Sequence, residues 1–223
     1  MNNNLLQIKI RQRLNKLSSF DYDNIECWMI QEAFNKAQIE WVRRRLHGLN
    51  ALRESSEQSV TVVDDLQILL SEINLRGIES PKYFETDIIP ANYLHFVRIS
   101  AKAKTDCCPP RTFSSIYQAE EANVDMLLGD NFKQPSFEWA ETFATLINNK
   151  VHVYTNNEFE ISDSFLTYYR QPVKIQILGC SDPYTGITST TEVQCEFKDD
   201  IIEVLIDEAV SLLAGDIESS NQY

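Results

Sequence analysis

Between Phe137 and Ile147 apolar side chains recur at nearly every second position, which is typical of a strand with one buried face. Asn148 and Asn149 interrupt this alternation, and asparagine is the non-glycine residue that most readily adopts the positive φ of a tight hairpin. Val151 and Val153 then resume the pattern. The stretch therefore predicts two strands joined by a β-hairpin.

Further extended runs surround this hairpin. Phe165 to Arg170 and Val173 to Ile177 predict two more strands, separated by Pro172, which cannot donate a hydrogen bond to a ladder. Alternation from Tyr93 to Lys104 predicts a half-buried strand with a basic exposed face, and Glu192 to Phe197 predicts the last strand. We therefore expect an antiparallel sheet.

Three segments carry apolar residues at helical spacing. Their stripes are Leu5, Ile8, Leu14 and Leu17; Cys27, Ile30, Phe34, Ala37 and Trp41; and Ile201, Leu205 and Leu212 beside Ile202, Ile206, Ala209 and Leu213. Asp23 is placed to cap the second helix, which runs to about Leu46, and Gly215 to end the third. These patterns predict helices at both ends of the chain.

The order of the elements predicts an α+β fold with N-terminal helices, a central antiparallel β-rich region and a C-terminal helix. In the first region Asp64 begins a brief helix that runs through Leu70, and β structure is expected from about Gly77. The predicted regions are residues 1–76, mainly helical; 77–198, β-rich with one short helix; 199–215, a helix packing back on the first region; and 216–223, a polar tail.

Chain length and cysteine content narrow the class of protein. A chain of 223 residues can bury one sizeable core or two small ones, and the sequence shows neither a secretory leader nor a long apolar run, so we expect a cytosolic protein. The five cysteines include the adjacent pair Cys107 and Cys108, and adjacent cysteines rarely bridge each other. We expect reduced, mainly structural thiols, and no metal site because no second pair of ligands has suitable spacing.

The charge balance argues against tight binding of nucleic acid. The chain has 33 acidic and 20 basic side chains, a formal charge of −13, which repels phosphate backbones. A negative wall can, however, let a duplex slide past it. The run Arg43-Arg44-Arg45 ends the second helix, where it either complements the helix dipole, the favoured interpretation, or contacts an acidic partner or DNA.

No motif in the sequence indicates catalysis. Dinucleotide, phosphate-loop and nucleophile-elbow motifs are missing, and only six glycines could build such turns. The three histidines, His47, His95 and His152, form no ligand pattern and are expected to be packed or exposed imidazoles. The acidic pairs at 64–65, 120–121 and 199–200 stand at predicted helix starts, where capping explains them. We therefore expect neither an enzyme nor a cofactor.

A set of diffuse motifs, spread over nearly the whole chain, carries a family resemblance. They are Trp28 and Trp41 on the capped helix, Ile89-Pro90-Ala91-Asn92-Tyr93, Cys107-Cys108-Pro109, Asn148-Asn149-Lys150, Tyr168-Tyr169-Arg170-Gln171-Pro172 and the helical run from Phe197 to Val210. In this order the chain resembles the head-to-tail connectors, the adaptor or ring proteins, of crAss-like and related tailed bacteriophages.

The resemblance implies a structural virion protein without a catalytic centre. Its expected partners are other copies of itself in a ring, usually twelvefold, the portal protein above it, and further tail or ring proteins. Genomic DNA would pass through the channel without specific binding, and no membrane is involved. The expected location is the head-to-tail junction of a virion made in the bacterial cytoplasm. Connectors of simpler phages are mostly helical, so the long β region departs from their pattern.

Several residues are candidates for contacts in such an assembly. Pro183, Tyr184 and Gly186 lie in a polar tract at 179–191 that predicts a mobile hairpin tip, and Tyr223 lies in the polar tail. These residues are candidates for contacts between subunits or to the portal, and Arg43, Arg44 and Arg45 for an acidic partner or the channel. The alternative is a small-molecule or protein binding module of α+β fold without catalytic activity, or an unrecognised enzyme.

Overall fold

The computed structural model describes residues 1–17, 25–47 and 64–220, and it confirms the predicted α+β class. The chain divides into two compact units: a helical unit, Met1–Ile68 with Pro172–Tyr223, and a β unit, Leu69–Gln171. These limits differ from the predicted regions, since residues 70–76 fall in the β unit and residues 172–198 in the helical unit. The predicted cap Asp23 and the candidate contact residue Tyr223 lie outside the described residues.

Among its described residues the helical unit has three long helices: α1, Asn3–Leu17; α2, Cys27–His47; and α4, Asp199–Ser220. Both α1 and α2 pack against α4. The predicted stripes of α2 and α4 are confirmed, because Phe34, Trp41 and Leu205 are among their buried members. Gly215 does not end α4, which continues to Ser220. A glycine ends a helix when it adopts a left-handed conformation, and Gly215 does not adopt one.

The predicted stripe of α1 is wrong in part. Leu6, Ile10 and Leu14 form the buried face, whereas Leu5 and Ile8 are exposed. Apolar residues occur at two overlapping helical spacings in this segment, and the face that meets α4 is the one that becomes buried.

The β unit is one sheet of eight strands with the order β1-β8-β4-β5-β6-β7-β3-β2, followed from strand to strand by hydrogen bonds. The strands are β1, Leu70–Leu75; β2, Gly77–Glu79; β3, Tyr83–Thr86; β4, Tyr93–Thr105; β5, Cys108–Gln118; β6, Phe143–Ile147; β7, Lys150–Tyr154; and β8, Glu160–Arg170. A short helix, α3, spans Val124–Gly129. The outermost strands β1 and β2 are separated in the chain only by Arg76, so the two edges of the sheet come close together at this residue. The main hydrophobic core includes residues of β1, β3, β4, β5, β6, β7 and β8.

All strand pairs are antiparallel, as predicted, except β5 with β6, which is parallel. The predicted strands over 93–104 and 165–170 are confirmed as β4 and part of β8. The hairpin between β6 and β7 is confirmed as well, because Asn148 and Asn149 have φ values of 49° and 60°.

Two predictions at the ends of strands are wrong. The strand predicted from Phe137 begins only at Phe143, because residues 137–140 form a turn in which Ala140 has a φ of 54°. The brief helix predicted through Leu70 is confined to residues 64–69, with a 3₁₀ turn at its end. Leu70–Leu75 instead pairs with β8, a partner 89 to 99 residues away that its local sequence does not reveal.

Candidate functional site

Two side-chain amides of α2 hold the extended chain that follows Pro172. The backbone N–H of Ile175 donates to Oδ1 of Asn35 at 2.8 Å, and that of Ile177 donates to Oε1 of Gln31 at 3.1 Å. Residues 31 and 35 are one helical turn apart, and alternate residues of an extended chain point the same way at nearly the same spacing. The helix thus takes the place of a neighbouring strand.

These contacts explain why two predicted strands are missing. Val173 to Ile177 and Glu192 to Phe197 form no ladder with each other, and only Gln176 and Val193 make an isolated bridge, with both N–O distances 3.0 Å. Both strand predictions are therefore wrong. The apolar alternation is present, but it is used to pack an irregular segment against α2.

A disulfide fixes the same segment to the start of α2. Cys27 and Cys180 are bonded although 153 positions separate them, so the expectation of reduced thiols is wrong for this pair. Cys107 and Cys108 are free and exposed. Cys195 is free and buried, and its burial raises the pKa of its thiol to about 11. Sequence spacing alone could not have identified the bonded pair.

The predicted hairpin tip has a defined hydrogen-bonded form. The N–H of Gly186, which has a φ of 67°, donates to the carbonyl of Asp182 at 2.8 Å. The Asp182 carboxylate accepts hydrogen bonds from the Tyr184 N–H and the Thr185 hydroxyl, both at 2.9 Å. The bond from the Tyr184 N–H is the main reason why the pKa of Asp182 lies below its usual value. The tip thereby holds Tyr184 out from the chain, and its side chain is 82% exposed.

A surface groove of about 650 Å³ lies between α2 and this tip, and below it is called simply the groove. At one place the rings of Trp28 and Tyr184 meet edge to face, with 5.8 Å between their centroids. Arg43 and Lys174 also line it. The groove thus combines an aromatic pair with cations on one surface of the helical unit.

The cations of the groove form no ion pair within the part of the chain that the structure describes. Among the described residues, none of Lys36, Arg43 and Lys174 has a carboxylate within 4 Å. Glu32 and Glu40, which flank Lys36 on α2, and Asp182 of the tip line the groove too, so its charged side chains are neutral as a set. On a chain with a formal charge of −13 this is a locally less negative surface with cations available to a partner.

The structure separates the roles of the three consecutive arginines. Arg44 forms an ion pair with Glu208 of α4, and Arg45 lies 3.9 Å from Asp65 with its guanidinium over the Trp41 ring. Both therefore serve contacts within the helical unit. Arg43 alone of the three lines the groove.

The candidate site residues are thus brought together in part. Arg43 and Tyr184, which are far apart in sequence, line one groove, and Pro183 and Gly186 belong to the tip that forms its wall. No pattern in the sequence linked them, because the disulfide and the two side-chain amides that position the tip join distant segments.

The β unit has an exposed aromatic surface that was not predicted. Phe132 is 93% and Trp139 is 75% exposed, and Met126 and Tyr117 are exposed as well. Tyr117 and Phe132 line a second cavity of about 520 Å³ together with Glu141. A hydrogen-bonded bridge between Ser136 and Glu141 closes the loop that carries Trp139. Single aromatic residues in polar segments were the only signal of this surface in the sequence.

This aromatic surface is strongly acidic. Residues 117–141 carry six carboxylates, namely Glu120, Glu121, Asp125, Asp130, Glu138 and Glu141, against the single cation Lys133. In the described part of the chain none of the six has a cationic side chain within 4 Å. Burial, with the negative charges of Glu141 and Asp130, raises the pKa of Tyr117. We call residues 117–141 the acidic surface.

Within the described ranges no cluster of three or more His, Cys, Asp or Glu side chains is arranged to hold a metal ion. His152 stacks on Tyr83 with 4.5 Å between ring centroids, as a packed imidazole would. None of the helices in the described part of the chain is both long enough and apolar enough to cross a bilayer.

Comparisons with protein-family models and with curated proteins found no match for this chain.

Proposed function

We propose that this chain is a structural protein of a tailed phage that forms a ring below the portal, joins capsid to tail and extends the DNA channel. The proposal starts from the sequence resemblance to phage connectors. The structural observation that supports it best is that ordered, hydrogen-bonded segments expose Tyr184 and Ile187 in one unit and Phe132 and Trp139 in the other. Exposed apolar groups on ordered segments are typical of surfaces that bind other proteins.

The charge distribution also supports an assembly around DNA. A formal charge of −13 repels phosphate groups, and so do the carboxylates of the acidic surface, which have no cation within 4 Å among the described residues. A channel wall of this kind lets DNA pass without holding it. The ring, proposed to be twelvefold, would contact the portal on one side and further tail or ring proteins on the other, at the head-to-tail junction of the virion.

The experiment that tests this function uses the full chain and the portal protein encoded in the same genome. Mass photometry and negative-stain imaging would be performed on the chain alone and on its mixture with the portal. We expect closed rings, or a stoichiometric portal complex. A monomer that ignores the portal at micromolar concentration would contradict the proposal and favour the alternative, a binding module whose ligand occupies the groove of the helical unit.

A further inference from the structure

We propose that neighbouring copies in the ring contact each other through two different surfaces, the groove of one copy and the acidic surface of the next. This inference rests on the proposed ring function and assigns the surfaces that build it. The occupant of the groove is thus a second copy of this chain, which presents residues 117–141.

Charge is the first reason for pairing these surfaces. The lining of the groove is neutral as a set, with Glu32, Glu40 and Asp182 beside Lys36, Arg43 and Lys174, and these three cations have no carboxylate within 4 Å among the described residues. The acidic surface offers six carboxylates that likewise have no cation within 4 Å in the described part of the chain, and it contains only one lysine. Most other lysines and arginines of the described residues are already in ion pairs. Cations of the groove that have no carboxylate within 4 Å in their own copy can pair with carboxylates of the acidic surface, and such pairs fix the orientation of the contact.

Aromatic side chains are the second reason. Trp28 and Tyr184 lie at the groove, and Phe132 and Trp139 stand out from the acidic surface. Aromatic residues carry much of the binding energy at protein interfaces once they are shielded from water. A groove of about 650 Å³ has room for one or more such side chains.

Contact between two unlike surfaces is compatible with a ring. Such a contact leaves each growing assembly with one groove and one acidic surface still free, so addition continues, and it ends in a ring when the rotation between neighbours closes. A contact between like surfaces would instead stop at a dimer. The helical unit supplies one half of each contact and the β unit supplies the other half.

Matched charge variants test the groove. Arg43→Glu with Lys174→Glu reverses two cations of the groove, while Arg76→Glu with Lys82→Glu makes the same change in net charge at two exposed cations of the β unit, outside both surfaces. We expect the groove variant to raise the concentration for half-maximal ring formation at least roughly tenfold, and the control to assemble like the wild type. Equal effects of the two variants would overturn the assignment.

Matched apolar variants test the acidic surface. Phe132→Ser with Trp139→Ser removes its two most exposed aromatic groups, and Ile78→Ser with Ile88→Ser removes two exposed apolar groups elsewhere in the β unit. All four side chains are exposed, so we expect each variant to fold, which circular dichroism checks. Rings should be lost in the first variant and retained in the second.

Mixing the two interface variants gives the most specific test. The groove variant keeps an intact acidic surface, and the Phe132→Ser/Trp139→Ser variant keeps an intact groove. At a concentration at which the wild type forms rings, each variant should be monomeric alone, yet the mixture should form a one-to-one dimer that cannot grow, seen by mass photometry. A mixture that remains monomeric, or variants that form rings of wild-type size and stability, would overturn the inference.

The outcome separates this inference from the proposed function. If wild-type rings form and both interface variants still assemble, the ring function stands and the assigned surfaces are wrong. If the wild-type chain forms no ring either alone or with its portal, the proposed function itself fails.

Discussion

The two units of this protein use the same sequence pattern in different ways. In the β unit, alternating segments such as Tyr93–Thr105 find partner strands, and backbone hydrogen bonds join them. In the helical unit, the alternating segment from Val173 to Ile177 meets the side chains of α2 instead. The β unit is one continuous stretch of chain, whereas the helical unit joins two stretches through side chains and a disulfide. Alternation thus shows that one face is buried, and the available partner decides whether a strand forms.

Loss of a ring from the β core has the largest expected effect. Phe113 is fully buried, and its ring centroid lies 4.9 Å from that of Phe159 and 6.2 Å from that of Phe137. We expect Phe113→Ala to lower the free energy of unfolding by about 3–5 kcal/mol, because it removes a large side chain and leaves a cavity. Urea unfolding measures this loss. Phe132→Ala is the matched control and should change stability little, since Phe132 is almost fully exposed; a similar loss in both would contradict the description of the core.

Removal of the disulfide tests whether the helical unit depends on links between distant segments. The double variant Cys27→Ser/Cys180→Ser should lose about 2–4 kcal/mol, because the crosslink restricts the unfolded chain. Thermal unfolding with and without reductant measures the effect. Reductant should lower the Tm of the wild type but not that of the variant. Cys107→Ser/Cys108→Ser should behave as the wild type, and a wild-type Tm insensitive to reductant would contradict the expectation.

A smaller effect is expected from the amide that holds Ile175. Asn35→Ala leaves the buried N–H of Ile175 without its acceptor, which should cost about 1–3 kcal/mol. Asn35→Asp retains an oxygen acceptor and should lose less. Hydrogen exchange of the Ile175 amide, followed by NMR, compares the two. Equal exchange rates in both variants would show that Asn35 does not replace a strand partner.

The smallest effect on stability is expected from the ion pair between Lys9 of α1 and Glu203 of α4. The hydrogen bond from Lys9, with Arg13 nearby, lowers the pKa of Glu203 below its ordinary value of 4.5. The resulting stabilisation is therefore present above pH 4.5 and is lost as the pH falls through the lower pKa of the folded state. Glu203→Gln should cost about 0.2–1 kcal/mol at neutral pH, because the pair is partly exposed.

The same variant should flatten the dependence of Tm on pH in the acid range. Tm measured from neutral pH downward for wild type and Glu203→Gln checks this, with Glu192→Gln, an exposed carboxylate, as control. Parallel curves for wild type and Glu203→Gln would contradict the assigned role of Glu203.

The sequence by itself determined the elements whose signal is local. The buried stripes of α2 and α4 follow from apolar residues three or four positions apart, since one helix turn brings them to one face. The turn at Asn148 and Asn149 follows from the tolerance of asparagine for positive φ. These local patterns were also sufficient to predict the α+β fold class.

Only the tertiary structure decided the features that depend on distant partners. Leu70–Leu75 becomes a strand because β8 offers it a ladder, and Cys27 is bonded to Cys180 because α2 and the chain after Pro172 pack together. Arg43 and Tyr184 meet in one groove for the same reason. Ala140 takes a positive φ without any local signal in its sequence. Such features arise from contacts between remote segments, and the energy of these contacts outweighs local preference.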